Sequence, residues 1–205
     1  MTKLKNSTMA MAFILLVGSF IIGCTETESK KDPSTNEANS TYEIAPNEYA
    51  DLSEKAIKNM ADLDFDKWGE MMADDVEYYF PDGDAGTRTK LTGKSEVVGW
   101  FKNWKETSGI EKMTSTNSVH VPVIAKESLN YTGLSGVLVL SYFSNEMVYD
   151  GTPVSVRMHY AAHFNDDKLI DKYYTYYDRT PIVNTVNANI LKAEVDEVDE
   201  VDEEN

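Results

Sequence analysis

The side chains with the most evident chemistry lie in Gly151–Asp178, where Arg157, His159 and His163 occupy a single predicted strand. Two histidines can ligate one metal ion, but four residues along a strand separate these two by about 13 Å. Two ligands of one ion must converge within a few ångströms, so these histidines cannot share a metal. No other His-rich or Cys-rich spacing occurs in the chain, and we therefore expect no metal site and no cofactor.

The same stretch predicts two antiparallel strands, Val154–Phe164 and Leu169–Asp178, joined by the polar turn Asn165-Asp166-Asp167. Side chains alternate between the two faces of a strand, so the three residues named above share one face. The opposite, inner face is expected to carry Met158, Tyr160, Ala162, Phe164, Lys172, Tyr174 and Tyr176. The histidines would then face solvent or a second copy of the chain. A catalytic pair of a histidine with Arg157 would require a shift of one residue in register.

Hydrophobic periodicity places three helices before a strand-rich second half. The predicted helices are Glu48–Ala61, Asp64–Met72 and a third that opens at Thr92-Gly93-Lys94-Ser95 and stops near Gly109. The predicted strands are Val76–Phe80, Met113–Ile124, Gly136–Tyr149 and the two strands named above, and Ala73-Asp74-Asp75 is expected to end the second helix. This order predicts an α+β fold with helices packed on one face of a mostly antiparallel sheet.

Five short motifs, in their order along the chain, resemble the NTF2-like superfamily and, within it, the SnoaL-like and ketosteroid-isomerase-like proteins. They are Ala73-Asp74-Asp75-Val76, Pro81, Leu91-Thr92-Gly93-Lys94, Gly151-x-Pro153 and Phe164-x-Asp166-x-Lys168-Leu169. The resemblance assigns residues 47–183 to this domain. It implies a cone in which three N-terminal helices close the concave face of a curved sheet, leaving a pocket for a small apolar molecule. It also implies that the sheet can form a homodimer.

Eight side chains are expected to line this pocket: Tyr78, Phe80, Trp100, Phe101, Met158, Tyr160, Tyr174 and Tyr176. The alternative is a filled core, because aromatic side chains at strand and helix spacing commonly serve packing alone. Tyr160 and Tyr176 are the predicted polar groups of the pocket, because a buried hydroxyl needs a hydrogen-bond partner.

The acid–base residues of ketosteroid isomerases are missing at the positions that the resemblance assigns to them. The general base corresponds to Phe80, the tyrosine of the first helix to Ala56 and the protonated aspartate to Tyr160. Phenylalanine cannot accept a proton, so the isomerase mechanism is not supported. A shift of two residues would bring Asp82 to the base position, but Pro81-Asp82-Gly83-Asp84 is more typical of a turn.

The sequence therefore favours a module that binds a small apolar or aromatic ligand, or a partner, without converting it. The alternative is a SnoaL-like isomerase, cyclase or hydrolase that acts on a small carbonyl compound. Such an enzyme would use Tyr160, Tyr176 or a carboxylate from a shifted register. A third interpretation is a scaffold that dimerises through the outer face of the sheet.

The N-terminus resembles the signal of a bacterial lipoprotein. A short basic leader precedes the apolar run Met9–Ile22, whose 14 residues rise about 21 Å as a helix, less than the roughly 30 Å of a hydrocarbon core. The run ends in Ile21-Ile22-Gly23-Cys24, which resembles a lipobox, and Cys24 is the only cysteine in the chain. The alternatives are an ordinary secretory signal with an incidental cysteine, or a free buried thiol.

We therefore expect residues 1–23 to be a signal peptide, Cys24 to be lipidated and residues 24–46 to form a disordered tether rich in Ser, Thr, Asn and Glu. The membrane would be contacted through the lipid anchor only. The location would be the bacterial cell envelope, at the outer membrane, and the acids that follow Cys24 resemble a signal for surface export.

The formal charge of −16 argues against nucleic-acid binding, which needs clustered Lys and Arg. Eight of the acidic residues lie in Glu194–Asn205, where Glu-Val-Asp repeats. Like charges at this density repel each other, and a valine at every third position fits neither a buried helix nor a buried strand. Residues 184–205 are therefore predicted to be a disordered acidic tail, with loose binding of divalent cations as the alternative.

Overall fold

The computed structural model describes residues 40–189 and Leu191, which form seven strands and four helices. The strands are β1 (Tyr42–Ile44), β2 (Met72–Tyr79), β3 (Lys90–Thr92), β4 (Ile110–Ala125), β5 (Gly136–Tyr149), β6 (Thr152–Phe164) and β7 (Ile170–Tyr176). The helices are α1 (Glu48–Ala61), α2 (Phe65–Gly69), α3 (Lys94–Thr107) and α4 (Thr180–Val186). The first and third helices and the strand β5 match their predicted bounds closely, because each carries a long periodic pattern.

The seven strands form one curved, unclosed sheet in the order β1-β4-β5-β6-β7-β2-β3. Every neighbouring pair is antiparallel except β2 and β7, which run parallel. Helix α1 packs on β4 and β5, and α3 packs on β2 and β4, so the concave face of the sheet is covered by helices. The predicted α+β architecture with a mostly antiparallel sheet is confirmed.

Two short strands and one helix were not predicted. Strand β1 lies inside the predicted tether, where Tyr42 pairs with Ala125 of β4, so the disordered interpretation is wrong for residues 42–44. Strand β3 lies in a stretch for which the sequence predicted no strand. Strands of three residues are too short to show an alternating pattern, and their pairing partners alone hold them in the sheet.

The fourth helix, α4, crosses the predicted boundary between the domain and the tail at residues 183 and 184. Its start carries ordinary signals: the Asp178 carboxylate accepts a hydrogen bond from the Thr180 amide at 2.8 Å, and Pro181 lies in the first turn. The helix buries Ile182 against the core. A count of three helices was therefore too low, and the ordered domain continues at least to Asn189.

Residues Ala73-Asp74-Asp75 lie in β2, whereas they were expected to end the second helix. Helix α2 ends at Gly69, and Asp64 caps its start, because the Asp64 carboxylate accepts from the Lys67 amide at 3.2 Å. Asp74 and Asp75 are exposed, which a short amphipathic pattern does not distinguish from the end of a helix.

The predicted signal peptide, Cys24, the tether up to residue 39 and the repeats of the acidic tail lie outside the described residues, so they stay predictions. Within the described part of the chain, every helix is too short or too polar to cross a bilayer.

Candidate functional site

A bulge in β7 reverses the predicted faces of that strand. Phe164 pairs with Ile170 and His163 pairs with Lys172, so Asp171 is an extra residue without a partner on β6. From Lys172 onward each side chain therefore lies on the face opposite to the one predicted. Tyr173 and Thr175 are buried on the inner face, whereas Lys172, Tyr174 and Tyr176 lie on the outer face.

Tyr174 and Tyr176 are consequently not part of a pocket on the inner face, and the prediction that Tyr176 is a polar group of that pocket is wrong. Tyr174 stacks on Tyr79 with ring centroids 4.4 Å apart. Tyr176 is 40% exposed, stacks on His159 at 5.5 Å and lies under the Arg88 guanidinium at 4.7 Å. These contacts belong to the outer face of the sheet.

The two histidines of β6 face outward, as predicted. The His159 Nδ1 atom lies 3.2 Å from the Ser141 carbonyl oxygen, and burial lowers the pKa of this histidine. Burial also acts to lower the pKa of His163, but the Asp171 carboxylate at 2.5 Å and the Ser135 carbonyl at 2.9 Å more than offset it, and the pKa is raised. Both histidines thus have structural partners on the outer face.

An apolar cavity of about 40 Å³ lies on the inner face, between α1, α3, α4 and strands β4–β6. It is lined by Met60, Phe80, Trp100, Phe101, Trp104, Met113, Asn145, Met147, Tyr149, Met158, Tyr160, Tyr177, Arg179, Ile182, Val183 and Leu191. Of the eight predicted residues, five line this cavity: Phe80, Trp100, Phe101, Met158 and Tyr160. Tyr78 lies behind it, fully buried, and its hydroxyl donates to Tyr160 Oη at 3.2 Å.

The hydrogen-bond donors of the cavity have poor acceptors. The Tyr149 hydroxyl donates to Met147 Sδ at 3.5 Å, and Tyr160 donates to Met60 Sδ at 3.9 Å. The thioether sulfur is a weak acceptor. The Tyr149 hydroxyl therefore lacks the oxygen acceptor that a buried donor normally finds, and Tyr160, whose oxygen accepts from Tyr78, lacks one for its own proton.

The amide of Asn145 and the indole of Trp104 also lack good hydrogen-bond acceptors. Asn145 is fully buried, its Nδ2 donates to Met158 Sδ at 3.8 Å, and its Oδ1 accepts from the Ser115 hydroxyl at 3.4 Å. The Trp104 Nε1 atom is buried and makes no well-formed hydrogen bond among the described residues, although its indole lies beside the Tyr149 hydroxyl and acts to lower the pKa of that group. Four residues of the lining therefore carry a donor without a good acceptor.

The tyrosines of the cavity are protonated at neutral pH. Burial raises the pKa of Tyr160 well above its ordinary value, helped by the neighbouring Tyr177. Burial also raises the pKa of Tyr149, and it raises the pKa of Tyr177 to about 12. A tyrosine in this state donates a hydrogen bond and does not remove a proton from a ligand.

No Asp, Glu or His belongs to the lining described above, and Arg179, which bonds to Asn189, is its one charged side chain. Asp82 does not reach the cavity: its carboxylate accepts from the Thr89 amide at 3.0 Å and the Thr89 hydroxyl at 2.6 Å, in the turn between β2 and β3. Asp178 caps α4. Across residues 40–189 and Leu191, no group of three or more His, Cys, Asp and Glu side chains could hold a metal ion.

Asn145 is the most informative residue that the sequence interpretation missed. A signal existed, because Phe143, Asn145, Met147 and Tyr149 alternate along β5 and therefore share its inner face. An amide among apolar neighbours at that parity is unusual for a filled core. Nothing comparable in the sequence indicated that α4 and Leu191 would line the cavity.

The comparisons with known proteins support the fold and nothing finer. No family model matches the sequence, and no curated protein matches it significantly. A candidate isomerase from Bacillus subtilis has a similar structure, with 14% sequence identity. The superposition covers 70% of this chain and 96% of the isomerase and has a TM-score of 0.53. A candidate polyketide cyclase from Silicibacter sp. is 14% identical in sequence. Its superposition covers 71% of this chain and 100% of the cyclase, with a TM-score of 0.52.

An NTF2-like protein of unknown function from Burkholderia pseudomallei is 13% identical in sequence. Its superposition covers 68% of this chain and 98% of the Burkholderia protein, with a TM-score of 0.51. Similarity at this level of identity shows the fold alone. The domain has the NTF2-like fold, as the resemblance implied.

Proposed function

We propose that this NTF2-like domain binds a small, largely apolar molecule that carries a hydrogen-bond-accepting oxygen, and that it releases the molecule unchanged. The observation that supports the proposal is the set of buried donors, from Trp104, Asn145, Tyr149 and Tyr160, whose acceptors are sulfur atoms or absent. A buried donor without an acceptor costs about 1–3 kcal/mol. A ligand carbonyl or carboxylate oxygen would satisfy such groups.

The methionines of the lining support a ligand that is larger than the present cavity. A space of about 40 Å³ holds water but no organic ligand of ordinary size. Met60, Met113, Met147 and Met158 contribute to the walls. Methionine has three rotatable bonds and repacks readily, so these walls can enlarge around a ligand at low cost.

The absence of acid–base groups from the described lining favours binding over conversion. Isomerases and cyclases that act next to a carbonyl need a base to remove a proton. Here the cavity offers donors only, and its tyrosines stay protonated at neutral pH. The alternative remains a SnoaL-like isomerase, cyclase or hydrolase, and two of the proteins with similar structures are named as an isomerase and a polyketide cyclase.

A matched pair of probes tests the proposal. Acetylnaphthalene and ethylnaphthalene have similar shapes, but only the first has an acceptor oxygen. We expect both to bind the full chain, the ketone about tenfold more tightly, as measured by tryptophan fluorescence and equilibrium dialysis. Failure of both probes to bind would remove the basis of the proposal.

The same ketone separates binding from catalysis. An enzyme with a base at the carbonyl would exchange the methyl protons of acetylnaphthalene for deuterium in deuterium oxide. We expect mass spectrometry to detect no exchange above the rate in buffer. Exchange that depends on the protein would favour the isomerase alternative.

The proposal places this domain on a lipid anchor at Cys24, in the bacterial cell envelope. The support is the lipobox-like sequence before the only cysteine. Metabolic labelling with a radioactive fatty acid in a bacterial host should label the wild-type chain, whereas a Cys24→Ala variant should remain unlabelled. Equal labelling of the two chains would contradict the anchor.

A further inference from the structure

A polar cleft of about 610 Å³ lies beside the apolar cavity, between α1 and β4. Its walls carry charged and hydroxyl-bearing side chains: Asp51, Glu54, Lys55, Lys58, Asp62, Thr114, Ser115, Ser118 and His120. Among the described residues, Met113 alone lines both the cleft and the cavity. One flexible side chain therefore lies between the small apolar space and a large polar one that is open to solvent.

A hydrogen bond crosses the same wall. The Ser115 hydroxyl, which faces the cleft, donates to Asn145 Oδ1, which faces the cavity, at 3.4 Å. This distance is at the long end of the range for an O–H···O bond, so the contact is weak. The wall at this point thus consists of a partly buried methionine and a weak side-chain contact.

Another wall of the cavity is built from packed aromatic rings. There Trp100 and Trp104 separate the cavity from a second cleft, which Val186, Ala188 and Asn189 also line. Trp100 packs against Phe80 and Phe101 with ring centroids 4.7 and 4.8 Å apart. Movement of a tryptophan here would break several aromatic contacts, whereas movement of Met113 requires only a change of rotamer.

The backbone around Met113 is also irregular. The pairing of β4 with β5 shifts register between Ile110 and Lys112 and again between Thr116 and Val119. Asn117, within the second irregularity, has a positive φ of 51°. Bulges bend a strand and re-aim its side chains, and they are common next to binding sites. The segment that carries Met113 is therefore bounded on both sides by bends.

We infer that the cleft between α1 and β4 is the entrance to the cavity and that Met113 is its gate. The inference rests on the proposed function and specifies the route by which a ligand enters. When Met113 swings out, the cavity becomes continuous with the cleft, and the combined space accommodates a ligand that is too large for the cavity alone. A ligand of ordinary size then reaches past Met113 into the cleft, among hydroxyl and charged groups.

Substitutions at the gate should change the rate of association in opposite directions. The probe is prodan, an aromatic ketone whose emission reports the polarity of its surroundings, mixed with the full chain in a stopped-flow fluorimeter. We expect Met113→Trp to slow association about tenfold and Met113→Ala to accelerate it. A residue that only lined the cavity would change mainly the dissociation rate, as most contacts do.

Ala188→Trp is the matched control, because it adds the same indole to the second cleft, at a residue that does not line the cavity. We expect its association rate to equal that of the wild type. Slowing by Ala188→Trp, or unchanged association in both Met113 variants, would overturn the gate. If the wild type bound no prodan, the proposed function itself would fail, so the two failures are distinguishable. Circular dichroism of each variant establishes that it is folded, and the variant that accelerates association keeps the test decisive if the bulky one does not fold.

Discussion

Trp68→Ala is expected to lower the free energy of unfolding by about 3–5 kcal/mol, the largest loss that we expect from any single substitution in the domain. Trp68 is 1% exposed and belongs to α2, yet its indole contacts aromatic rings from α3, β2 and β7. Its ring centroid lies 4.9 Å from that of Phe101, 6.0 Å from that of Tyr78 and 5.8 Å from that of Tyr173. The Nε1 atom also donates to the Tyr173 hydroxyl at 3.2 Å.

The size of this loss follows from what alanine would leave behind. These rings around Trp68 come from three different elements and cannot all collapse into the vacated space, so a cavity remains and the Tyr173 hydroxyl loses its donor. Domains are commonly stable by about 5–15 kcal/mol, so the variant would lie close to the threshold of unfolding. Urea denaturation of the full chain, followed by circular dichroism, measures the change.

Trp100→Ala provides the comparison, because it removes the same atoms from a side chain that is only partly buried. We expect a smaller loss, of about 1–2 kcal/mol, together with weaker binding of apolar probes, since Trp100 lines the cavity. Equal losses of stability in the two variants would contradict the assignment of Trp68 as the centre of the aromatic core.

The parts of the fold that could be predicted from the sequence are those with long periodic patterns. Helix α1 and strand β5 have 14 residues each, enough for a helical or an alternating pattern to appear above chance. Strands β1 and β3 have three residues each and exist because a neighbouring strand offers free backbone groups. That information lies in the tertiary structure, not in the local sequence.

The candidate site was predicted in part for a related reason. The prediction of which β6 side chains face inward was correct because the strand pairs with β5 without interruption from Thr152 to Phe164, so its side chains alternate regularly. The prediction of which β7 side chains face inward was wrong because one extra residue, Asp171, shifts every later side chain by one position. A bulge has no compositional signal strong enough to be seen in a single sequence, and a shift of one residue exchanges the two faces of a strand.

Asn145→Leu is expected to stabilise the domain and at the same time to remove its preference for an acceptor-bearing ligand. The amide is fully buried, and its Nδ2 has only Met158 Sδ as an acceptor, at 3.8 Å. Replacing a poorly satisfied buried amide with an apolar side chain of similar size should add roughly 1 kcal/mol to the free energy of unfolding. The Ser115 hydroxyl, which loses its acceptor, faces the open cleft and can bond to water.

The effect on binding should be selective. We expect the affinity for acetylnaphthalene to fall about tenfold, which corresponds to about 1.4 kcal/mol, whereas the affinity for ethylnaphthalene stays the same or rises. Equilibrium dialysis of both probes and urea denaturation of both chains measure the two changes. A loss of stability in Asn145→Leu would show that the amide serves packing within the core, and the proposed role in binding would lose its support.

Asn59→Leu separates a general effect of removing a buried amide from an effect on the site. Asn59, in α1, is 9% exposed, and its Nδ2 donates to a methionine sulfur, Met71 Sδ, at 3.5 Å, but it does not line the cavity. We expect its removal to leave the ratio of the two affinities unchanged. If a polar group persists in a core at a cost in stability, and its removal changes only the discrimination between ligands, the group serves recognition. Asn145 should meet that criterion, and Asn59 should not.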